Sequence, residues 1–363
     1  MQKPLSDMAI FMKNIISADI PDIYSIKPMF NHIASDANIR SGVLAYRDFL
    51  YLVCDRLTAD GSLYDKPLKK EKDGIISHPS FMEGYPFFNY VRSMLFSIGS
   101  HGTFTEKNAS LVIRDMEPLT SVLNSGGSPS KSKIPAPKLI AVLQFLNSCG
   151  IIFDGIDLDD KKPAMANVTS LGVSYPDNPF MLIGLKVMAI AQKDLRPKPG
   201  GIYDVFLRCD YRTLSNEGIE SVSVLKDFVN PLPAGVQDFV LRLHQLYVDK
   251  GLTCGLNIYL PEIIFTYFLK NKEILSLRAS LESGYRFLFK AQNTQKYADI
   301  IKTFPMPLQE KIAMGYGCDR RKFGKPCVKG CHGFSFPLDE SVLGISRDIE
   351  IWLDKELSCL QKK

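Results

Sequence analysis

No stretch of this sequence stays apolar for long enough to cross a bilayer. The strongest, Phe180 to Ala191, carries Lys186 and falls short of the roughly 20 residues a spanning helix needs, so no membrane span is expected. A basic leader with an apolar segment behind it is also missing, and the eight cysteines are therefore expected as reduced thiols in a cytoplasmic protein. Charge of neither sign dominates. The 44 Lys and Arg against 39 Asp and Glu leave +5, which excludes a strongly basic nucleic-acid packager but permits local basic patches. A complete Walker phosphate loop, a Rossmann glycine fingerprint, a His-Glu-x-x-His helix and a nucleophile elbow are all absent. His32, His78, His101 and His244 stand isolated, and His244, near Leu243 and Leu246, reads as a packed or hydrogen-bonded residue rather than a base. No catalytic constellation assembles, and a binding protein is expected before an enzyme.

What is present is an ordinary globular composition, 45% hydrophobic and 23% charged over 363 residues, long enough for two domain-sized parts. Arg196-Pro197-Lys198-Pro199-Gly200-Gly201 is the best linker candidate, which places domains at 1–198 and 199–363. The expected fold is α+β and mostly helical. Val43, Leu44, Tyr46, Phe49, Leu50, Val53 and Leu57 share one side of a helix that Ala59-Asp60-Gly61 is expected to end, and Tyr64 to Pro79 reads as a surface loop. Phe88, Val91, Met94, Leu95 and Ile98 form a second amphipathic helix closed by Gly99 and Gly102. A short strand at Thr103–Glu106, a helix at Ala109–Leu123 and a helix from about Pro135 to Ser148 follow. Ile151–Asp154 and Ala166–Val173 then read as strands flanking an Asp-rich loop.

That element order, with the Leu-Asn-Ser-Cys-Gly-Ile-Ile-Phe ending of its last helix, resembles the winged helix-turn-helix family over roughly Phe87 to Val173. The resemblance implies a winged-helix-like N-terminal domain, with DNA contact through the third helix and the wing. Lys138, Gln144 and Asn147 would be the base-facing residues, and Lys131, Lys133 and Lys138 the basic corner. The wing itself holds Asp154, Asp157, Asp159 and Asp160 against Lys161 and Lys162, which repels phosphate. A winged helix used for protein interaction or as a scaffold therefore stands beside the DNA reading. The apolar helix expected at Tyr175–Leu195 is either buried or a homodimer seam.

In the second domain the pattern predicts a strand at Val205–Arg212, helices near Leu214–Phe228 and Gly235–Lys250, and three strands at Ile263–Leu269, Ile274–Leu281 and Tyr285–Ala291 joined by tight turns. Alternation puts Phe265, Tyr267, Leu269, Leu275, Leu277, Ala279, Leu281, Tyr285, Phe287 and Phe289 on an apolar face that needs helices over it. Thr266, Ser276, Arg278, Ser280, Arg286 and Lys290 fall mostly on the other. That face is either a solvated sheet surface or a cradle for a small anion, with Arg278 and Arg286 as bidentate holders of carboxylate or phosphate.

Further helices are expected near Thr294–Thr303 and Pro307–Met314, before a glycine-rich loop containing Tyr316, Cys318, Arg320, Arg321, Lys322, Lys325, Cys327, Lys329, Cys331 and His332. Cys327-x3-Cys331 with Cys318 and His332 is an incomplete zinc spacing, and the surrounding bases equally favour a reactive thiolate. Thiols packed as small hydrophobes are the third reading. A C-terminal helix opens at Pro337–Ser341 and packs through Val342, Ile345, Ile349, Trp352, Leu353 and Leu360. The expectation is a ligand-sensing or regulatory binding protein, transcription-regulator-like, with an anion or small molecule held by Arg278, Arg286, Lys290, Tyr316, Arg320 and Arg321. The alternatives are a zinc or thiol-dependent redox protein centred on the cysteine loop, and a structural interaction protein.

Overall fold

The computed structural model describes residues 3–64, 84–105, 110–123, 129–159, 168–195, 204–259, 262–291, 293–314 and 333–361. The fold is α+β with small antiparallel sheets. Contacts divide it into two units, Met1–Glu220 with Tyr259–Pro261 and, separately, Ser221–Ile258 with Glu262–Lys363. The segment expected as loop at Tyr64 to Pro79 lies, apart from Tyr64, outside the described residues.

In the first unit, α1 (Leu5–Ile15) packs on α2 (Asp36–Tyr64), whose buried stripe runs Ile39, Val43, Tyr46, Leu50, Val53, Leu57. Gly61 does not stop this helix. A Cβ there would sit 3.2 Å from the Ser6 nitrogen, so the glycine serves close approach to the start of α1. The next helix, α3 (Pro86–His101), begins with the proline tolerated in a first turn.

Strands β1 (Thr103–Phe104) and β2 (Ser110–Ile113) come next, then a 3-10 turn at Pro118–Thr120 and β3 (Ser121–Leu123), which pairs with β4 (Pro129–Lys133). The helix expected at Ala109–Leu123 is therefore not formed. Leu111 and Ile113 are buried alternately with half-buried neighbours, a period of two, and Pro118 removes a donor from any helical ladder. The helix read near Pro135 is present as α4 (Ala136–Ser148). The flanking strands are β5 (Ile152–Asp154) and β6 (Leu171–Ser174), in a sheet ordered β1-β2-β6-β5.

At the centre of this unit lies α5 (Phe180–Asp194). Met181, Leu182, Leu185, Val187 and Met188 are fully buried, so the helix is a core element of its own chain rather than a seam left open for a second copy. It crosses α2 where Gly42 meets Gly184, and a Cβ on Gly184 would lie only 1.9 Å from the Gly42 carbonyl oxygen. Lys186, the charge within this apolar stretch, bonds the Gly102 and Gly99 carbonyls at 2.6 and 3.4 Å and so satisfies the end of α3.

The strand expected at Val205–Arg212 is instead α6 (Val205–Arg208) followed by a 3-10 turn at Tyr211–Leu214. Two aspartates decide this. Asp204 accepts from the Leu207 amide at 2.9 Å and Asp210 from the Arg212 amide at 3.3 Å, each capping a turn. Asp204 also holds Arg92 at 2.8 Å, both side chains buried, while Gln192 accepts from the Val205 amide. These anchors carry the unit on to Glu220, whereas the linker reading placed the boundary at Lys198.

The second unit opens with α7 (Ser221–Val229) and α8 (Ala234–Asp249) and continues into β7 (Thr253–Tyr259), β8 (Glu262–Leu269), β9 (Lys272–Ser280) and β10 (Gly284–Lys290). A short α9 (Ala298–Ile301) and α10 (Met306–Met314) precede β11 (Gly333–Pro337) and the final α11 (Ser346–Gln361). The five strands form one antiparallel sheet ordered β11-β10-β9-β8-β7. The β8–β9 turn uses Lys270 and Asn271, both at positive φ (48° and 63°), the conformation of a two-residue hairpin. Helices cover the apolar face as its composition requires. Phe228 stacks edge-on to Phe265, Phe239 to Phe287, and Trp352 to Phe289 and Phe334, with ring centroids 4.7–6.0 Å apart.

Candidate anion-binding site

The opposite face of this sheet carries the cations. Successive side chains in a strand alternate, so Arg278 on β9 and Arg286 on β10 share one face, and the register makes them direct cross-strand partners. The same row continues to Ile264 on β8 and to Pro337 on β11, which places an apolar residue outside each arginine. The neighbouring row is Thr266, Ser276, Leu288, Ser335. Each guanidinium leans toward it: Arg278 Nε donates to Ser276 Oγ at 3.3 Å and Arg286 Nε to Ser335 Oγ at 2.7 Å. Both arginines are half-buried, and Ser276 beneath them is fully buried.

Like charges placed directly opposite in a sheet destabilise it. Among the described residues no carboxylate pairs with Arg278 or Arg286. Lys290, expected to join the cradle, is instead neutralised by Glu273 at 2.6 Å. On α10, Lys311 lies 4.0 Å over the ring of Phe336, the apolar-face partner of Phe287. Burial, and after it the charge of Arg286, holds the Lys311 ammonium below its ordinary pKa. Tyr316, Arg320 and Arg321, assigned to the same ligand, lie outside the described residues, as do Cys318, Cys327, Cys331 and His332. Among the described residues no group of three or more His, Cys, Asp or Glu is arranged to hold a metal.

Other candidates carry less. His244 is buried on the apolar face with Nδ1 2.8 Å from the Tyr267 hydroxyl, and burial pushes its pKa down. A cavity of about 630 Å³ between α8 and α11 is lined by Arg242, Asp249, Arg347, Glu350, Asp354 and Lys355. Its charges are balanced, and Arg242–Glu350 (3.3 Å) pairs across it. In the first unit, two of the residues read as base-facing are committed elsewhere. Gln144 donates to the Leu158 carbonyl at 2.7 Å and Asn147 to that of Ile151 at 2.9 Å. Lys133 bonds Glu117 and Ser121, and Lys138 is half-buried, while the Lys131 side chain lies outside the described set.

One polar cluster escaped the sequence reading. Glu356, fully buried on α11, accepts from the Asn293 amide (3.1 Å), from Asn293 Nδ2 (2.7 Å) and from the Tyr297 hydroxyl, to which Trp352 Nε1 donates at 3.2 Å. Its signal was its position, in step with Ile349, Trp352 and Leu353 on the packing stripe.

No family model, curated protein or solved structure matches the chain. Among the described residues no helix is long and apolar enough to cross a membrane.

Proposed function

We propose that this chain is a ligand-sensing binding protein whose second unit holds a small anion on the Arg278 and Arg286 face. The observation that carries the reading is the cross-strand arginine pair, each Nε fixed by a serine hydroxyl and neither guanidinium matched by a carboxylate among the described residues. Anchoring through Nε pre-orders the side chain while its terminal N–H groups keep their donors. Charge-assisted bonds from such groups are about twice as strong as neutral ones. An anion would also relieve the repulsion between the two charges, so ligand and fold stabilise each other.

The test is calorimetric titration of the full chain with a panel of inorganic oxyanions and simple carboxylates at low ionic strength. At least one should bind, and Arg278→Ala or Arg286→Ala should weaken it by tenfold or more. Absence of binding across the panel, or binding indifferent to both substitutions, removes this reading.

A further inference from the structure

We infer that the ligand of this face is a phosphoryl group, a tetrahedral oxyanion carrying two negative charges, bridged between Arg278 and Arg286. The inference rests on the anion-binding reading above and narrows it to a chemical class. Three features of the site lead there.

The first is spacing. Ser276 and Ser335 sit in one row with Leu288 between them, two inter-strand steps apart, or roughly 9–10 Å. Arg278 is fixed to one serine and Arg286 to the other, so the guanidiniums flank the Leu288 position. Two charge-assisted bonds of about 2.8 Å plus the width of one oxyanion come to about 8 Å, which one anion between the two groups can span. The second is charge. A monocarboxylate neutralises one guanidinium and leaves the other uncompensated, whereas a phosphoryl dianion neutralises both and offers oxygens to each fork. Glu273, an acid of the same sheet, is already held by Lys290. The third is surroundings. Ile264 and Pro337 bracket the arginine row, and the half-buried guanidiniums sit above a buried serine. Partial exclusion of water strengthens a dianion's interaction with two cations more than a monoanion's with one.

The experiment titrates the full chain at pH 7.5 with inorganic phosphate, methyl phosphate, sulfate and acetate. Sulfate supplies a tetrahedral dianion with no proton to lose. Expected are affinities for phosphate and sulfate at least tenfold above that for acetate. Arg278→Lys and Arg286→Lys, which keep the charge and lose the fork, should each weaken phosphate binding by at least tenfold. Equal binding of methyl phosphate assigns a phosphomonoester, and binding of inorganic phosphate alone assigns the free ion; both uphold a phosphoryl ligand. Acetate binding as tightly as phosphate and sulfate, or Lys variants with full affinity, would overturn this inference while leaving anion binding intact. Failure of every oxyanion to bind removes both. Should the Lys variants not fold, the ranking of the anions on the unaltered protein decides alone.

Discussion

Glu356 shows what one side chain can hold together. It interrupts an apolar stripe with a carboxylate, and the three donors it accepts tie α11 to the turn that follows β10. Removing the carboxylate would leave the Asn293 amide groups and the Tyr297 hydroxyl without that acceptor in a buried site, where each hydrogen bond to a charged group is worth about 1.5–3 kcal/mol. Glu356→Ala should therefore lower unfolding stability in urea by about 3 kcal/mol or more, and Glu356→Gln by less because it keeps an acceptor. His244 provides a pH test. Burial depresses its folded-state pKa below the ordinary 6.5, so below that value the unfolded chain binds the proton more readily and stability falls as pH drops. His244→Gln retains a group able to bond Tyr267 and does not titrate. Its melting temperature should fall less than the unaltered protein's between pH 7 and pH 5, and parallel losses in both would show that His244 is not responsible. The packed role of His244 was legible from its apolar neighbours. The commitment of Gln144 and Asn147 to loop carbonyls was not, since a helical wheel shows which side chains face outward but not which local acceptors reach them.

At the scale of elements, periodicity was reliable where it lasted for several turns or strand repeats. The stripes of α2 and α3 and the alternation of β8 to β10 each span enough residues to fix a period. The errors fell on short pieces. Residues 110–123 form strands of three and four residues around a 3-10 turn, too few for alternation to outweigh a helix-like spacing of Leu111, Leu119 and Leu123. At 205–210 every residue is buried, so burial selects no period and the capping aspartates determine the backbone. The crossing of α2 and α5 was hidden for a different reason: Gly42 and Gly184 are distant in sequence, and nothing local marks them as partners. Gly184→Ala places a methyl group against backbone that cannot move aside by a rotamer change. Overpacking of a core costs about 1–3 kcal/mol, and this contact belongs at or above the upper end. Denaturant titration should show a loss of about 3 kcal/mol, against less than 1 kcal/mol for the exposed Gly344→Ala, where a Cβ meets nothing.

For the whole molecule, the Pro-Gly segment near Lys198 lies outside the described residues, and buried side chains of the first unit continue on its far side. Val205, Phe206, Leu207 and Leu214 lie beyond it and are at most 4% exposed, with Phe206 packed on Tyr46 and Phe96 of the same unit. Burying four such side chains contributes about 6–12 kcal/mol at 1.5–3 kcal/mol each. That rivals the 5–15 kcal/mol by which a whole domain is stable. Asp204, the buried partner of Arg92, belongs to the same segment. A chain ending at Lys198 would lose all of these together and leave the Arg92 guanidinium without its carboxylate in the interior. A chain ending at Glu220 keeps them. The 1–220 fragment should melt cooperatively by circular dichroism, while the 1–198 fragment should show no cooperative transition. Equal cooperativity in both fragments would mean that the residues after 204 dock onto a core already complete without them.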